Sequence, residues 1–512
     1  MAPLNVLMVL ADQHHASLLG VAGHPQVLTP NLDRFAATGV RFTNSFAQNT
    51  ICTPSRVSIL SGQYCHNHGY YGLSGPVNPG LDNLFRHFRA HGYRTAGYGK
   101  MHLPDSPRNW VADDVDVFAD TYESAEGVTG ESPFLSHLER LGLRRYEDSW
   151  HNEHEYGPGT ISHDAMPSLL PYEHTQERWC ADQAMELMRA DDDRPFFIQV
   201  AFQKPHHPLL PNRRFWDLYP QQIDLPPTVH HDPAGRPPHF RDAWQRFHER
   251  AWDYGGPGES SEDGARRAWR GTLACVTQVD DVFGRLLRFL DEAGLAGNTI
   301  VIYSSDHGCY HGIHGIEEKA PGICSDSVCR VPMIWRVPGL AAGVTSDALV
   351  EAVDMASTLP GLCGIAPMGC VDGCDIASLL AGGSDAVRDC AVTENPWSKS
   401  VRWDRWRLVH YPRAMFHDGE YGELYDMHND PNERVNLYRD PAYAEVAHEG
   451  LRLLADWLIT TARVVTTQPT VRIGGSAGRH IHGAKRYPAC PDGHGPNAVQ
   501  PRFRHDNNLN YL

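Results

Sequence analysis

The 512-residue chain lacks a long apolar run, a basic excess and a cysteine framework, and each shortfall closes off a class of function. A helix that crosses a bilayer needs about 20 apolar residues. The opening stretch MAPLNVLMVLADQ stops being apolar at Asp12 and carries no basic flank, so it reads as a first core strand rather than a leader or anchor. The expectation is a cytoplasmic protein with no membrane partner. A formal net charge of -17 argues against nucleic acid as a partner, which would need a basic face. A small anionic substrate stays open, because one site can be locally positive on an acidic surface. Twelve cysteines in a chain this long do not form a disulfide scaffold, and most are expected to be reduced, buried thiols. There is no internal repeat, and Gly and Pro follow no period, which excludes fibrous architectures.

Short apolar runs alternate with helical patterns. Residues 4–10 (LNVLMVL), 93–99, 195–202 and 299–305 read as strands. Residues 29–39 read as a helix with Thr29 as its cap, Pro30 at its first position and Gly39 at its end. Residues 81–92 form another helix. A longer one over 272–294 places Val276, Val279, Val282, Phe283, Leu286, Leu287 and Leu290 at helical spacing. This alternation predicts an α/β fold with a large, mainly parallel sheet sandwiched by helices. Near residue 385 the pattern changes to short strands followed by a helix over about 441–463. The expected organisation is a catalytic domain over 1–385, a small C-terminal α+β subdomain over 386–463 with a four-stranded antiparallel sheet, and a polar tail over 464–512. Residues 104–190 read as irregular insertions over the site, and 221–270 as a second lid.

In such sheets, sites form at the carboxyl ends of strands. Polar pairs stand there four times: Asp12 and Gln13, Lys100 and His102, Lys204 and His206, Asp306 and His307. Cys52-Thr53-Pro54-Ser55-Arg56 precedes a helix expected to begin near Pro54. A helix N-terminus offers free N–H groups to a tetrahedral anion, and Arg56 adds a planar cation.

This motif resembles the Cys-x-Pro-x-Arg signature of the formylglycine-dependent (type I) sulfatases of the alkaline phosphatase superfamily. VLMVLADQ, YGKMHL, QKPHHPLLP, YSSDHG, the Lys319 stretch EEKAPGICSDSVCRVPMIWR and GELYDMHNDPNERVNL resemble further family segments, in the family's order across residues 4–463. The resemblance implies an alkaline phosphatase-like fold and a sulfatase that converts a small-molecule sulfate ester to an alcohol and sulfate. It implies that Cys52 is oxidised to formylglycine by a formylglycine-generating enzyme, a transient partner. One divalent metal ion, Mn or Ca, would be held by Asp12, Gln13, Asp306, His307 and residue 52. One hydroxyl of the hydrated aldehyde would attack sulfur and the other would then expel sulfate, a second step closed to Ser or Cys, which put one heteroatom on that carbon. Arg56 and Lys100 would hold diol and sulfate oxygens, His102 would assist elimination, and Lys319 and His206 would bind sulfate and protonate the leaving oxygen. Lys204 is a further substrate-binding candidate.

Two departures bear on the branch. Gln13 stands where an acid is common, and His307 where Asn is common. Lower ligand charge and a softer imidazole shift preference from calcium towards manganese. The same pairs occur in choline sulfatases and phosphonate monoester hydrolases, the branches this chain resembles most. Retention of Gly99-Lys100-Met101-His102 favours sulfate. A phosphonate monoester or phosphodiester hydrolase is the alternative. A non-catalytic anion- or metal-binding protein is the outcome if Cys52 stays unmodified. A phosphatase-like relative would need Ser or Thr as nucleophile, and Thr53 is one position off. His14, His15, His66 and His68 are as consistent with packing as with substrate contact, and Cys309, Cys324 and Cys329 read as buried thiols. Related phosphonate hydrolases use C-terminal arms in oligomers, so the tail suggests a homo-oligomer, dimer or tetramer.

Overall fold

The computed structural model describes residues 3–73, 77–78, 80–104, 109–121, 132–146, 165–249, 261–316, 319, 323–383, 386–416 and 419–463. The central sheet has eight strands: β1 (Asn5–Asp12), β2 (Val40–Phe46), β3 (Arg94–Gly99), β4 (Val117–Asp120), β5 (Phe196–Pro205), β6 (Thr299–Ser305), β7 (Met333–Arg336) and β8 (Val344–Glu351). Their order is β4-β3-β5-β1-β6-β7-β2-β8. All neighbours are parallel except β7, which runs antiparallel to both β6 and β2.

Strand β1 lies mid-sheet, which explains its unbroken apolar run. Val6, Met8 and Leu10 enter the core on one face, and Leu7, Val9 and Ala11 the core on the other. A strand covered on both faces has no polar side. Full burial of each large aliphatic side chain stabilises the fold by roughly 1.5–3 kcal/mol. The helix Cys52–Ser61 packs into the first core through Val57, Ile59 and Leu60. The helix Ser261–Glu292 packs into the second through Val279, Val282, Phe283, Leu286 and Leu290.

Four further strands, β9 (Ala391–Glu394), β10 (Lys399–Trp403), β11 (Trp406–His410) and β12 (Gly422–Asp426), form a separate antiparallel sheet. The helix Ala444–Thr461 covers it through Ala447, Leu454 and Trp457, and Tyr64 and Val353 of the main body join that cluster.

The structure corrects several local expectations. Thr29 makes no side-chain cap on the helix Pro30–Ala37; its hydroxyl accepts from Gly20 N–H and donates to Asp33 instead. That helix ends at Ala37 with Thr38 as its C-cap, and Gly39 follows directly. The helix after Ile51 begins at Cys52, so Pro54 lies inside its first turn, where a missing N–H costs nothing. Residues 104–190 are not wholly irregular: β4 extends the sheet edge, and the helix Gln176–Arg189 packs Trp179, Ala181, Ala184 and Met185 into the second core. Within 221–270 stand the helix Pro238–Glu249 and the first turns of Ser261–Glu292. The tail 464–512 lies outside the described residues. Among the described residues, no helix is long and apolar enough to cross a membrane.

Candidate active site

Pairing of β1 with β6 sets Ala11 beside Ser305, so Asp12 and Asp306 leave the sheet next to each other. The N-terminus of the helix Cys52–Ser61 faces them, tied by Ser55 Oγ donating to the Asp306 carbonyl at 2.5 Å. The result is one buried group. Ligand atoms of Asp12, Cys52, Asp306 and His307 all lie within 4.8 Å of one another.

Arg56 braces this group. Its Nε donates to Asp306 Oδ2 at 2.8 Å, one terminal nitrogen reaches Asp12 Oδ2 at 3.2 Å, and the other donates to the Lys100 carbonyl. Lys100 Nζ lies 2.6 Å from Asp12 Oδ2. Gly99 delivers Lys100 there. Its φ is +101°, and a Cβ would stand 1.9 Å from the Ala201 carbonyl oxygen, so only glycine lets β3 end so close to β5. Gly308 does the same beside His307, where a Cβ would meet the Ser327 carbonyl at 2.1 Å.

His307 Nδ1 donates to the Gly308 carbonyl at 2.7 Å. That leaves Nε2, 3.9 Å from both Asp12 Oδ1 and Asp306 Oδ2, as the ring atom able to ligate a cation. Gln13 sits at φ 65°, its N–H donates to Asp306 Oδ1 at 3.2 Å and its Nε2 faces Cys309 Sγ at 3.6 Å. Among the described residues, Asp12 Oδ1 and Gln13 Oε1 are buried and accept no hydrogen bond. Burial normally forces such oxygens to find partners. Two unspent oxygens, a second carboxylate and an imidazole are the donor set of a divalent-cation site, and these residues fit one.

The local field is shaped by cations. Burial would raise the Asp12 carboxyl, but the neighbouring cations, Lys100 first and then Arg56, outweigh it and hold the carboxyl well below its ordinary range. Burial likewise pushes the Cys52 thiol up, but Lys319, Lys100 and the His307 ring leave it below the usual value. Burial, with Lys100 second, keeps both His102 and His206 neutral well below ordinary histidine.

The structure brings His206 and Lys319 together: Lys319 Nζ lies 3.4 Å from His206 Nε2, and His206 Nδ1 meets the His207 carbonyl at 2.6 Å. Lys204 turns elsewhere. Its Nζ pairs with Glu177 Oε2 at 3.4 Å, and Glu177 also accepts from Gln278 at 2.8 Å. Lys204 and His206 share the wall of a cleft with Ser168, Leu170, Gln176 and Gln203. Glu177 and Gln203 escaped the sequence reading, because nothing local marks a carboxylate 27 residues before the lysine it will meet.

The other histidines near these motifs make packing contacts. His14 bridges the Tyr303 hydroxyl (2.7 Å) and the Leu18 carbonyl (2.9 Å). His15 meets Ser17, His66 pairs with Glu394 at 3.0 Å, and His68 meets Ser58 at 2.9 Å. Cys309, Cys324 and Cys329 are buried free thiols.

The sulfatase family model matches residues 4–365, and the model of the N-sulphoglucosamine sulphohydrolase C-terminal region matches 314–456. The chain belongs to the sulfatase family, and it is a sulfuric ester hydrolase. It is 27% identical over 498 residues to the multifunctional alkaline phosphatase superfamily protein PehA of Trinickia caryophylli, covering 90% of this chain and 96% of that protein. It is 30% identical to human iduronate 2-sulfatase over 404 residues, covering 71% of this chain and 69% of that enzyme. In fold it is similar to the phosphonate monoester hydrolase of Silicibacter pomeroyi, at a TM-score of 0.75 and 22% identity over 89% of this chain and 95% of that one.

Proposed function

We propose that this chain hydrolyses a sulfate monoester with Cys52 converted to formylglycine and one divalent metal, Mn or Ca, held by Asp12, Gln13, Asp306, His307 and residue 52. The observation that carries the reading is the buried convergence of Asp12, Cys52, Asp306 and His307 with acceptor oxygens left unspent. The metal would neutralise part of the ester's charge and lower the pKa of a hydroxyl it holds. Formylglycine supplies a hydratable aldehyde, a carbon able to carry two oxygens. Arg56 locks both carboxylates in place and shields them from each other. Lys100 adds a cation against the sulfate oxygens, and neutral His102 is ready to accept a proton.

With His206 Nδ1 donating to the His207 carbonyl, its Nε2 is an acceptor for Lys319. Lys319 is therefore the group that carries the proton for the leaving oxygen, and His206 aims it. The cleft beside His206 and Lys204 receives the alcohol. We further propose the division into 1–385, 386–463 and 464–512, with the tail serving a homo-oligomer.

A second reading, phosphonate monoester or phosphodiester hydrolysis, is favoured by the Asp12-Gln13 and Asp306-His307 pairs. Retention of Lys100 and His102 supports sulfate over it. Peptide mass spectrometry across Cys52, on protein made with a formylglycine-generating enzyme, tests the nucleophile. An aldehyde trapped by a hydrazine is the expected result; a peptide that stays Cys, without sulfatase activity, overturns it. Rates on 4-nitrophenyl sulfate and on a 4-nitrophenyl phosphonate then decide between the two esters.

A further inference from the structure

The C-terminal sheet reaches back into the catalytic body through a second cluster of buried charge. Arg407 on β11 pairs with Glu433 and donates to the Cys324 carbonyl. Glu433 Oε1 accepts from Asp326 N–H at 3.0 Å, and its Oε2 lies 3.7 Å from His314 Nε2. Arg236, from the segment before the helix Pro238–Glu249, reaches Glu423 on β12 at 2.8 Å and the Glu433 carbonyl. Glu423 is closed by the hydroxyls of Tyr411 (2.7 Å) and Tyr425 (2.5 Å). Arg236, Arg407, Glu423 and Glu433 are all at most 4% exposed.

Glu433 therefore touches the chain on both sides of Lys319: His314 before it, and Asp326 after it. Arg407 adds Cys324. Burying two arginines and two glutamates is costly, and well-packed apolar residues would often hold two layers together as firmly. What ions do better is to fix one geometry, because each hydrogen bond tolerates little displacement. We propose that Glu433, with Arg407, is a positioning residue for Lys319: it clamps the loop so that the ammonium meets His206 and the leaving oxygen. The idea rests on the role given to Lys319 above. It makes the small sheet part of the catalytic device, acting without touching substrate.

A misplaced proton donor harms poor leaving groups more than good ones, whereas a merely less stable fold lowers all rates together. The test compares kcat/KM on 4-nitrophenyl sulfate and on phenyl sulfate for metal-loaded, formylglycine-bearing enzyme. Lys319→Ala sets the reference pattern, a larger loss on phenyl sulfate. Glu433→Gln and His314→Asn are the probes; Asn suits the left-handed backbone of His314 (φ 58°) and keeps the test alive if the first variant fails to fold. The expected result is an extra loss on phenyl sulfate of about tenfold or more in either probe. Equal losses on both esters in the folded probes, beside a leaving-group-dependent Lys319→Ala, would overturn the clamp. Equal losses in Lys319→Ala itself would overturn the role of Lys319, and the clamp with it.

Discussion

Two clusters in this protein each bury two carboxylates with two cations, and they do different things. Around Cys52 stand Asp12 and Asp306 with Arg56 and Lys100; between the sheets stand Glu423 and Glu433 with Arg236 and Arg407. Burial and charge balance are the same in both. The difference is what the unspent oxygens face. Both oxygens of Glu423 are taken, by Tyr411 on one side and by Tyr425 and Arg236 on the other, while Glu433 Oε2 accepts no hydrogen bond among the described residues and lies 3.7 Å from His314 Nε2. In the first cluster Asp12 Oδ1 and Gln13 Oε1 accept nothing among the described residues, and a thiol faces them. Reactive capacity shows itself where unused ligand atoms converge on one point, as at Asp12, Cys52, Asp306 and His307, not as buried charge.

That contrast breaks most sharply by substitution. Cys52→Ala and Asp12→Asn should each cost at least about 10⁴-fold in kcat while leaving the far-ultraviolet spectrum unchanged, because on the proposed mechanism they remove the nucleophile or a cation ligand. A loss under tenfold would mean that the chemistry runs elsewhere. Wild-type protein should also lose melting temperature on chelation, and Asp12→Asn should not.

In the second cluster the largest effect should be on stability. Glu423→Gln leaves Arg236 with a neutral partner in a buried site and should cost about 3–5 kcal/mol by denaturant titration, with the chelator-induced melting shift intact. A Glu423→Gln protein that loses the metal shift but keeps its stability would erase the distinction drawn between the clusters.

Acid sharpens the comparison further. Burial holds His14 and His314 down to about 4 and His68 to about 3, so the folded chain keeps them neutral. The unfolded chain protonates them near 6.5, so stability falls as pH drops from about 6.5 towards 4, by up to about 1.4 kcal/mol per pH unit for each histidine. Denaturant midpoints at pH 7.5, 5.5 and 4.5 check this, and a flat series would refute it. Glu423 works at lower pH. Burial would raise it, but Arg236 and Arg407 bring it down to about 2, so its contribution is complete above the ordinary glutamate range and disappears as pH falls towards 2.

The smallest effect is expected at Lys204. Because Glu177 already pairs with it, Lys204→Met should change kcat on 4-nitrophenyl sulfate by no more than about twofold, and KM by only a few-fold. A collapse of kcat would place Lys204 among the reacting groups.

Much of this was legible in the chain. The unbroken run before Asp12, the Cys52–Arg56 motif and the polar pairs after strands pointed to Asp12, Arg56, Lys100 and Asp306, which the fold gathers into one buried group, since a parallel sheet delivers the ends of neighbouring strands to one edge. The long helix was readable from its apolar spacing. Helix ends were less so: Thr29 looked like a cap, yet a tertiary partner, Gly20, took its hydroxyl. Residues 104–190 hid a strand and a 14-residue helix, because β4 has four residues and only its neighbour β3 makes it a strand.

The sequence by itself determined the residue types, their order and the sheet that gathers them, because these follow from local apolar period and short motifs. Only the tertiary structure decided who pairs with whom. Lys319 meets His206 across 113 positions, Lys204 is drawn to Glu177, and Asp326 meets Glu433 across 107. Such partners are chosen by how two loops pack after the sheet has formed. Side-chain charges act over a few ångströms, and no local pattern records a distance that only the folded chain creates.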